Sequence, residues 1–296
     1  MPDLGRVVDI ASAARLSYRD LQLVLEREGA PTVTIPVEDI GIVLLGNAPI
    51  TVTSPLLAAL AEQGAALVVA DARHMPAGLM LPLAGSTLHA ATLRSQIEAS
   101  VPRRKQVWQT IIRAKVAAQA ALLKAEKGTD KGLLALSRAV RSDDAGNVEA
   151  QAARLYFTAL FGRGFKRDHE APGLNALLNY GYAVLRAAVA RALVGAGLHP
   201  ALGVHHRSQY DAFALADDAM EPLRPLVDRL ALGLRADLPE GEGLPTPVRR
   251  AMVALLTESV GWEGKRYPLT AALPNYAAAL RRRIAGDDEA LPCPEP

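Results

Sequence analysis

The sequence predicts an α+β protein in which a small β-rich domain precedes a larger all-α domain. Three observations support this fold class. Half of the 296 residues are apolar, which is enough to build two cores. Short β-branched runs separated by turn signals fill the first part of the chain. After about residue 90, apolar residues recur with the period of an α-helix.

The N-terminal domain, predicted over residues 1–88, has the pattern of a β-sandwich-like fold. Its apolar runs are short, and several alternate between apolar and polar residues as a half-buried strand does. One helix interrupts them, beginning near Ser54 with Pro55 in its first turn and ending near Gly64. The predicted strands are residues 21–25, 32–35, 40–45, 50–53 and 66–70.

Helical periodicity dominates the second predicted domain, residues 89–288, which carries the candidate site. From Val107 to Leu122, apolar residues fall on one face of a helix that should end at Gly128. The acidic, proline-rich residues 289–296 are predicted to be a disordered tail. Further helices are predicted over residues 147–161, 174–196, 214–232, 247–260 and 275–285.

Charge and cysteine content restrict the possible classes of protein. The net charge is only +2, so a nucleic-acid surface must come from local basic clusters. A single cysteine, Cys293, excludes a disulfide framework within the chain, and no stretch is apolar enough to span a membrane. We therefore expect a cytoplasmic protein. The basic clusters are Arg103 to Lys105, Arg163 with Lys166 and Arg167, Arg249 with Arg250, and Arg281 to Arg283.

The residues around the turn at 203–225 combine two histidines with several carboxylates. Asp217 and Asp218 lie four and three residues before Glu221, so these carboxylates can share a helix face. Such crowding is unfavourable unless a cation stands among the acids. Two explanations remain open from the residues alone: a divalent metal, or structural ion pairs with Arg207 and Arg224.

Three common enzyme classes do not fit this sequence. The pair His205 and His206 has no second histidine four residues on with an intervening glutamate, as zinc proteases require. Ser208 does not lie in a Gly-x-Ser-x-Gly turn, and no phosphate-binding loop of the Gly-x-x-x-x-Gly-Lys type is found. Glu149, in the first turn of a predicted helix capped by Asn147, is ordinary by itself, since acids favour that position.

Four segments together resemble the CRISPR-associated adaptation integrase family. They are Glu-Ala-x-x-Ala-Arg-x-Tyr-Phe from Glu149, Leu-Asn-Tyr-Gly-Tyr from Leu178, Gly-x-x-His ending at His206, and Asp-x-x-Glu-Pro-x-Arg-Pro from Asp218. The order of a β-rich domain and a helical domain agrees with the same family. The segment from Gly264 to Thr270 resembles the type II branch.

The resemblance implies a metal site and the residues that form it. In that family a Glu, a His and an Asp or Glu hold a catalytic divalent metal, and these positions correspond to Glu149, His206 and Glu221. The Gly-x-x-His spacing favours His206 over His205 for the histidine role. Asp218 matches a further family acid and is expected to be auxiliary. The expected metal is Mg²⁺ or Mn²⁺.

The resemblance also implies a reaction and partners. The expected activity is an endonuclease and integrase that joins the 3′ ends of short foreign DNA to a repeat array by transesterification. The expected partners are double-stranded DNA, a second copy bound through the N-terminal domain, and the small second Cas protein. Two alternatives stay open, namely a stand-alone metal-dependent nuclease of repair or transposition and a catalytically idle DNA-binding scaffold.

Overall fold

Two four-stranded β-sheets make up the N-terminal part of the chain. The computed structural model describes residues 5–72, 76–83, 86–206, 208–239 and 243–296. The first sheet has the strand order β1-β5-β7-β8 and the second β4-β3-β2-β6. The strands are β1 (Arg6–Ile10), β2 (Ala14–Arg19), β3 (Gln22–Glu26), β4 (Val33–Pro36), β5 (Ile40–Leu45), β6 (Ile50–Val52), β7 (Ala66–Ala70) and β8 (Pro76–Met80).

The central strand of the first sheet, β5, has both faces covered. It pairs in parallel with β1 and β7, and all six of its residues are buried. Val43 and Leu45 contact the core shared with the second sheet, whereas Ile42 and Leu44, on the opposite face, join the helical core. The alternation along one strand therefore connects the two cores. The predicted β-rich, sandwich-like N-terminal region followed by helices is confirmed.

The second sheet is built around a tight hairpin. Strands β2 and β3 are antiparallel, and their turn residues Asp20 and Leu21 have φ angles of 52° and 61°. A two-residue turn with both φ angles positive matches the right-handed twist of the flanking strands. Leu16 and Leu23 point from this hairpin into the core between the sheets, which helix α1 (Ser54–Glu62) completes through Leu56.

Most of the chain after Met80 is helical. The longest helix begins after Ser100, whose side chain accepts from the backbone N–H of Arg103 at 3.4 Å, and ends at Gly128, which has a φ of 73°. This longest helix is α3 (Val101–Lys127). The other helices of this region are α2 (His89–Glu98), α4 (Leu133–Ala139), α5 (Val148–Phe161), α6 (Leu174–Gly195), α7 (Ala214–Met220), α8 (Arg224–Gly233), α9 (Thr246–Val253) and α10 (Leu269–Ala285).

Helix α6 passes through the middle of the helical core and also contacts β7 and β8. At Gly181 it lies so close to its neighbours that an added Cβ atom would overlap Val227 and lie 2.7 Å from the sulfur of Met252. Glycine is therefore required there by close packing. This contact supports the structural role that the Leu-Asn-Tyr-Gly-Tyr segment was expected to have.

Two predicted helices differ from the structure. The helix expected over 214–232 is divided by a 3-10 turn at Glu221–Leu223, next to Pro222 and Pro225, which lack the backbone N–H that a continuous helix uses. The helix expected over 247–260 ends early. Its last residues form strand β9 (Ser259–Trp262), which pairs with β10 (Lys265–Pro268) around a Glu-Gly turn.

The expectation of a disordered tail over residues 289–296 differs from the structure. Leu291 is buried, and Cys293 packs against the helical core. Gly261 and Glu295 exchange two backbone hydrogen bonds of 2.7 and 2.9 Å, so the tail adds a bridge to β9. Composition alone missed these anchoring contacts. The predicted domain boundary near residue 88 lies in the segment between the end of β8 at Met80 and the start of α2 at His89.

Among the residues that the structure describes, no helix combines the length and the apolar character needed to cross a bilayer.

Candidate active site

The predicted site residues come from separate elements that meet around helix α3. Glu149 lies in the first turn of α5, Glu221 directly follows α7, and Asp218 lies within α7. His206 lies in the loop between α6 and α7. Helix α3 contacts α5, α7 and the 3-10 turn that carries Glu221. Residues more than fifty positions apart in sequence are thus brought to one side of a single long helix.

Lys115 of α3 joins the two predicted metal carboxylates. Its Nζ lies 2.6 Å from Oε1 of Glu149 and 2.6 Å from Oε2 of Glu221. The lysine side chain is 9% exposed. Burial alone lowers the pKa of Lys115, but the charges of Glu221 and Glu149 outweigh burial and the pKa is raised. The two carboxylates therefore converge on one cationic position.

Glu221 is the more deeply buried of the two acids. Its Oε1 lies 2.9 Å from Nε of Arg224, and its side chain is 5% exposed. Burial raises the pKa of Glu221, but the positive charges of Arg224 and Lys115 outweigh it and the pKa is lowered. Oε2 is buried and faces the ammonium of Lys115, so ion pairing balances its charge.

Asp218 organises the loop that carries His206. Its fully buried carboxylate accepts the backbone N–H groups of Val204 at 2.7 Å, His205 at 2.9 Å and His206 at 3.3 Å. It also contacts Nδ1 of His206 at 2.5 Å. At Gly203 an added Cβ would overlap the carbonyl oxygen of His206 and lie 3.0 Å from Oδ2 of Asp218. This close approach gives the Gly-x-x-His spacing a physical reason.

The contact with Asp218 fixes the orientation of the His206 ring. Because Nδ1 faces the carboxylate, Nε2 is the nitrogen left to face a metal or substrate, which is the usual arrangement of a carboxylate, a histidine and a metal. The hydrogen bond to Asp218 is the main reason that the pKa of His206 is raised, although burial opposes it. The geometry thus assigns Asp218 the task of holding His206.

His205 points elsewhere. Its ring stacks on the buried ring of Trp108, with centroids 4.2 Å apart and planes inclined by 4°. Its Nδ1 lies 3.7 Å from Oδ1 of Asp143. Trp108 also meets His206 edge-on, with centroids 5.8 Å apart. The two histidine rings therefore have different surroundings: that of His205 packs on the face of Trp108, and that of His206 contacts Asp218.

The three clustered acids have different partners. Asp217 accepts two hydrogen bonds from Arg186, at 2.6 and 3.0 Å, while Asp218 and Glu221 have different partners. Burial raises the pKa of Asp217, and Arg186 opposes that effect. Arg224 does pair with Glu221, as the ion-pair explanation required. Arg207, the second arginine of that explanation, lies outside the described residues.

The start of α5 is capped differently from the prediction. Asn147 adopts a left-handed conformation, with a φ of 50°, and its side chain caps nothing. Asp144 caps the helix instead, because its carboxylate accepts the N–H groups of Val148 at 2.9 Å and Glu149 at 3.0 Å. Glu149 is thereby fixed in the first turn, where α3 passes.

The donor set suits a divalent cation. Two carboxylates and one imidazole nitrogen are ligands that Mn²⁺ and Mg²⁺ accept, and the ammonium of Lys115 shows that a cation fits between Glu149 and Glu221. Within the described ranges, no three metal-binding side chains already converge on one point. The ammonium of Lys115 lies between the carboxylates of Glu149 and Glu221, and the ring of His206 contacts Asp218.

Sequence reasoning missed Lys115 and Trp108. A signal for Lys115 was present, because it lies at helical spacing from Trp108, Ile111 and Leu122, all of which are buried. A lysine within an apolar face needs a counter-ion, and Glu149 and Glu221 supply it.

A buried network behind the site was also missed. The carboxylate of Asp228 accepts hydrogen bonds from the hydroxyl groups of Tyr156, at 2.8 Å, and Tyr182. The guanidinium of Arg224 lies 4.6 Å from the centre of the Tyr182 ring. Arg224 is therefore held between Glu221 and this pair of tyrosines, which supports the carboxylate from behind.

The predicted basic clusters differ in how freely they face solvent. Arg249 is buried and donates to the carbonyl of Leu244 at 2.7 Å, so it is structural. Arg103 donates to the carbonyl of Asp287 at 2.9 Å and also joins α3 to the end of α10. By contrast, Arg163 and Lys166 are exposed in the segment after α5.

Comparison with known proteins gives concordant matches. The family described as "CRISPR associated protein Cas1" matches residues 10–237. The CRISPR-associated endonuclease Cas1 of Neisseria meningitidis serogroup C (strain 8013) is 40% identical over 278 residues, covering 93% of this chain and 90% of that protein.

Solved structures agree on the fold. A casposase bound to an integration product superposes with a TM-score of 0.79 at 19% identity, covering 97% of this chain and 92% of that one. A chain of a Cas6-RT-Cas1–Cas2 complex gives a TM-score of 0.74 at 21% identity, covering 95% of this chain and 35% of that one.

Proposed function

This chain belongs to the Cas1 family of CRISPR-associated proteins, and on that premise we propose that its site joins the 3′ ends of short foreign DNA to a repeat array. The family is one of endonucleases that are generally metal-dependent. The reaction is a transesterification at phosphorus, in which a DNA 3′-hydroxyl attacks a phosphodiester of the repeat. Attack by water at the same phosphorus gives the endonuclease activity for which the Neisseria relative is named.

One observation carries the proposal: two carboxylates from distant helices converge within 2.6 Å of a single cationic position. Asp218 holds His206 in the adjoining loop, and the charge of Glu221 contributes to the raised pKa of His206. A purely structural ion pair would not require an oriented histidine beside it. We therefore assign Glu149, His206 and Glu221 as metal ligands and Asp218 as the residue that positions His206.

Mg²⁺ or Mn²⁺ bound to these residues would polarise the phosphodiester and stabilise the charge that develops on its oxygens. The protein's own groups supply orientation and charge balance. Asp218 keeps the Nδ1 side of His206 occupied, and Arg224 holds Oε1 of Glu221, so that Oε2 faces the site. The Tyr182 ring beneath Arg224 keeps this guanidinium in place.

The partners that we propose follow from the family. They are double-stranded DNA, a second copy of the chain and the small Cas2 protein, which accompanies Cas1 in the related Cas6-RT-Cas1–Cas2 complex. The exposed basic residues Arg163 and Lys166 suit contacts with phosphates, which would make affinity fall steeply with salt. Pairing of two copies through the N-terminal domain is part of the same proposal.

The first experiment compares His206→Ala with His205→Ala. Purified protein and Cas2 are incubated with Mn²⁺, short duplexes with free 3′ ends, and a plasmid that carries the repeat array. Joined products should be lost in His206→Ala and retained in His205→Ala, whose ring packs on Trp108. The opposite pattern would transfer the ligand role to His205. Nicking or binding that is unchanged in both variants would refute the metal assignment and favour an idle DNA-binding scaffold.

A further inference from the structure

We propose that Lys115 is an internal cation that occupies the metal position and moves to a DNA phosphate when metal and DNA bind. Metal and DNA would then bind cooperatively, each increasing the affinity for the other. The inference rests on the proposed metal site of Glu149, His206 and Glu221. It goes beyond that site because it gives Lys115, which is neither a proposed ligand nor part of the family motifs, a role in controlling access to the site.

The first step concerns space. The ammonium of Lys115 lies 2.6 Å from an oxygen of each proposed carboxylate ligand. A divalent ion bound by the same two oxygens would lie at about the same place, since the bonds of Mg²⁺ to oxygen are about 2.0 to 2.1 Å long. Two cations cannot occupy one position. Binding of the metal therefore requires the ammonium of Lys115 to leave.

The second step concerns charge. Lys115 is almost wholly buried, and a buried ammonium without an anion is strongly unfavourable. The nearby charge of Arg224 already acts against it, and Arg224 remains held by Oε1 of Glu221 and by the Tyr182 ring. Once the metal takes Glu149 and Glu221, Lys115 loses the two anions that compensate it. Metal binding to the protein alone is therefore opposed.

The third step concerns DNA. In the proposed reaction a phosphodiester enters the site and brings a negative charge beside the metal. The four-carbon stem of lysine is flexible and ends in a compact charge that binds phosphate well, and its root on α3 keeps it next to the site. A phosphate oxygen thus replaces the lost carboxylates as the partner of Lys115, which accounts for the cooperativity.

The test measures the affinity for Mn²⁺ directly, from the electron paramagnetic resonance signal of the free ion. It uses the full chain with and without a short duplex whose 3′ ends are dideoxy, so that no joining occurs. Wild type should bind one Mn²⁺ weakly alone and about tenfold more tightly with DNA. Lys115→Met should bind about tenfold more tightly than wild type without DNA, and DNA should increase its affinity for Mn²⁺ less than it increases that of wild type. Lys124→Met, at an exposed lysine of the same helix, should behave as wild type.

A second measurement uses unmodified protein, in case Lys115→Met does not fold. Amine acylation read by mass spectrometry should label Lys115 slowly in EDTA, several-fold faster with Mg²⁺, and slowly again with Mg²⁺ and DNA. Labelling of Lys115 that does not respond to Mg²⁺ would overturn the inference, as would a Lys115→Met variant that binds Mn²⁺ no more tightly than wild type.

The two proposals fail in distinguishable ways. If wild type binds one Mn²⁺ and His206→Ala does not, the metal site stands whatever Lys115 does. If wild type and His206→Ala bind Mn²⁺ alike, the metal site itself is wrong, and the role of Lys115 falls with it.

Discussion

Asp218 holds both the ring and the backbone of His206: its carboxylate lies 2.5 Å from Nδ1 of the ring and accepts a hydrogen bond from the backbone N–H of His206 at 3.3 Å. The ring and the backbone of His206 therefore cannot move independently. The neighbouring N–H groups of Val204 and His205 bind the same carboxylate, so residues 204–206 of the loop are fixed to α7. This arrangement depends on the absence of a side chain at Gly203, which leads to the first prediction.

Gly203→Ala should weaken metal binding without unfolding the protein. An added Cβ would overlap the carbonyl oxygen of His206, so the loop must shift and His206 must turn away from its position. We expect the affinity for Mn²⁺ to fall by about 10- to 100-fold, as it does when groups behind a ligand are lost. Gly195→Ala is the matched control, because nothing lies within 4 Å of its added Cβ. Equal Mn²⁺ affinity in the two variants would contradict this account of the loop.

Glu221→Ala should destabilise the protein more than Glu149→Ala, measured by urea unfolding in EDTA. Glu221 is buried and neutralises both Arg224 and Lys115, so its removal leaves buried positive charge without a partner. We expect a loss of about 3 kcal/mol or more. The side chain of Glu149 is 34% exposed, and solvent will limit its loss to about 1 kcal/mol. Equal losses would show that Glu221 is less tightly coupled to its neighbours than the distances imply.

Asp228 should make stability fall as pH rises through about 6. Burial raises its pKa to about 6 from an ordinary value of 3.8, although the hydrogen bonds from Tyr182 and Tyr156 act in the opposite direction. The folded state therefore binds a proton more readily than the unfolded state. This contribution is fully present below pH 4 and is lost as the pH passes the folded-state pKa.

Asp228→Asn removes this titration, so the comparison isolates it. Between pH 4 and pH 7, wild type should lose roughly 2.4 kcal/mol relative to the variant, in addition to a constant offset from the altered hydrogen bonds of Tyr156 and Tyr182. Urea unfolding at several pH values measures the difference. A difference between the two proteins that does not change with pH would rule out a raised pKa at Asp228.

Leu291→Ala should lower the free energy of unfolding by about 2 to 3 kcal/mol. Leu291 is 6% exposed although it lies in the tail that composition predicts to be disordered. Its side chain joins the helical core, so its loss leaves a cavity there. Leu83→Ala is the control, because Leu83 is 94% exposed and its loss should change stability by less than about 0.5 kcal/mol. If Leu291→Ala is as stable as that control, the tail does not contribute to the core and the prediction of a disordered tail stands.

The sequence predicted elements with a clear period and missed those fixed by tertiary contacts. The strands at Ile40–Leu45 and Ala66–Ala70 were predicted to the residue, because each is a short apolar run between turn signals. The helix predicted over 247–260 extends two residues into β9, and the hairpin of β9 and β10 was not predicted, although Glu263 and Gly264 form a turn with both φ angles positive. Here the turn chemistry was present and was overlooked.

The site was predictable in its acids and its histidine, but not in its charge balance. Family motifs pointed to Glu149, His206 and Glu221, and the structure brings both glutamates to Lys115 and His206 to Asp218. No local rule reveals that a lysine thirty-four positions before Glu149 lies between the two glutamates. That fact depends on how α3 packs against α5 and α7, which no pattern along one segment contains.

Helix α3 also sets the spacing of the site. Trp108, which supports His205, and Lys115, which joins the glutamates, lie two helical turns apart on a continuous helix of 27 residues. Two turns correspond to about 10 Å along the axis, a distance fixed by backbone hydrogen bonds. Insertions in the surface loops would leave this distance unchanged. One residue inserted between Trp108 and Lys115 would rotate one of them by about 100° and separate the histidine loop from the carboxylates.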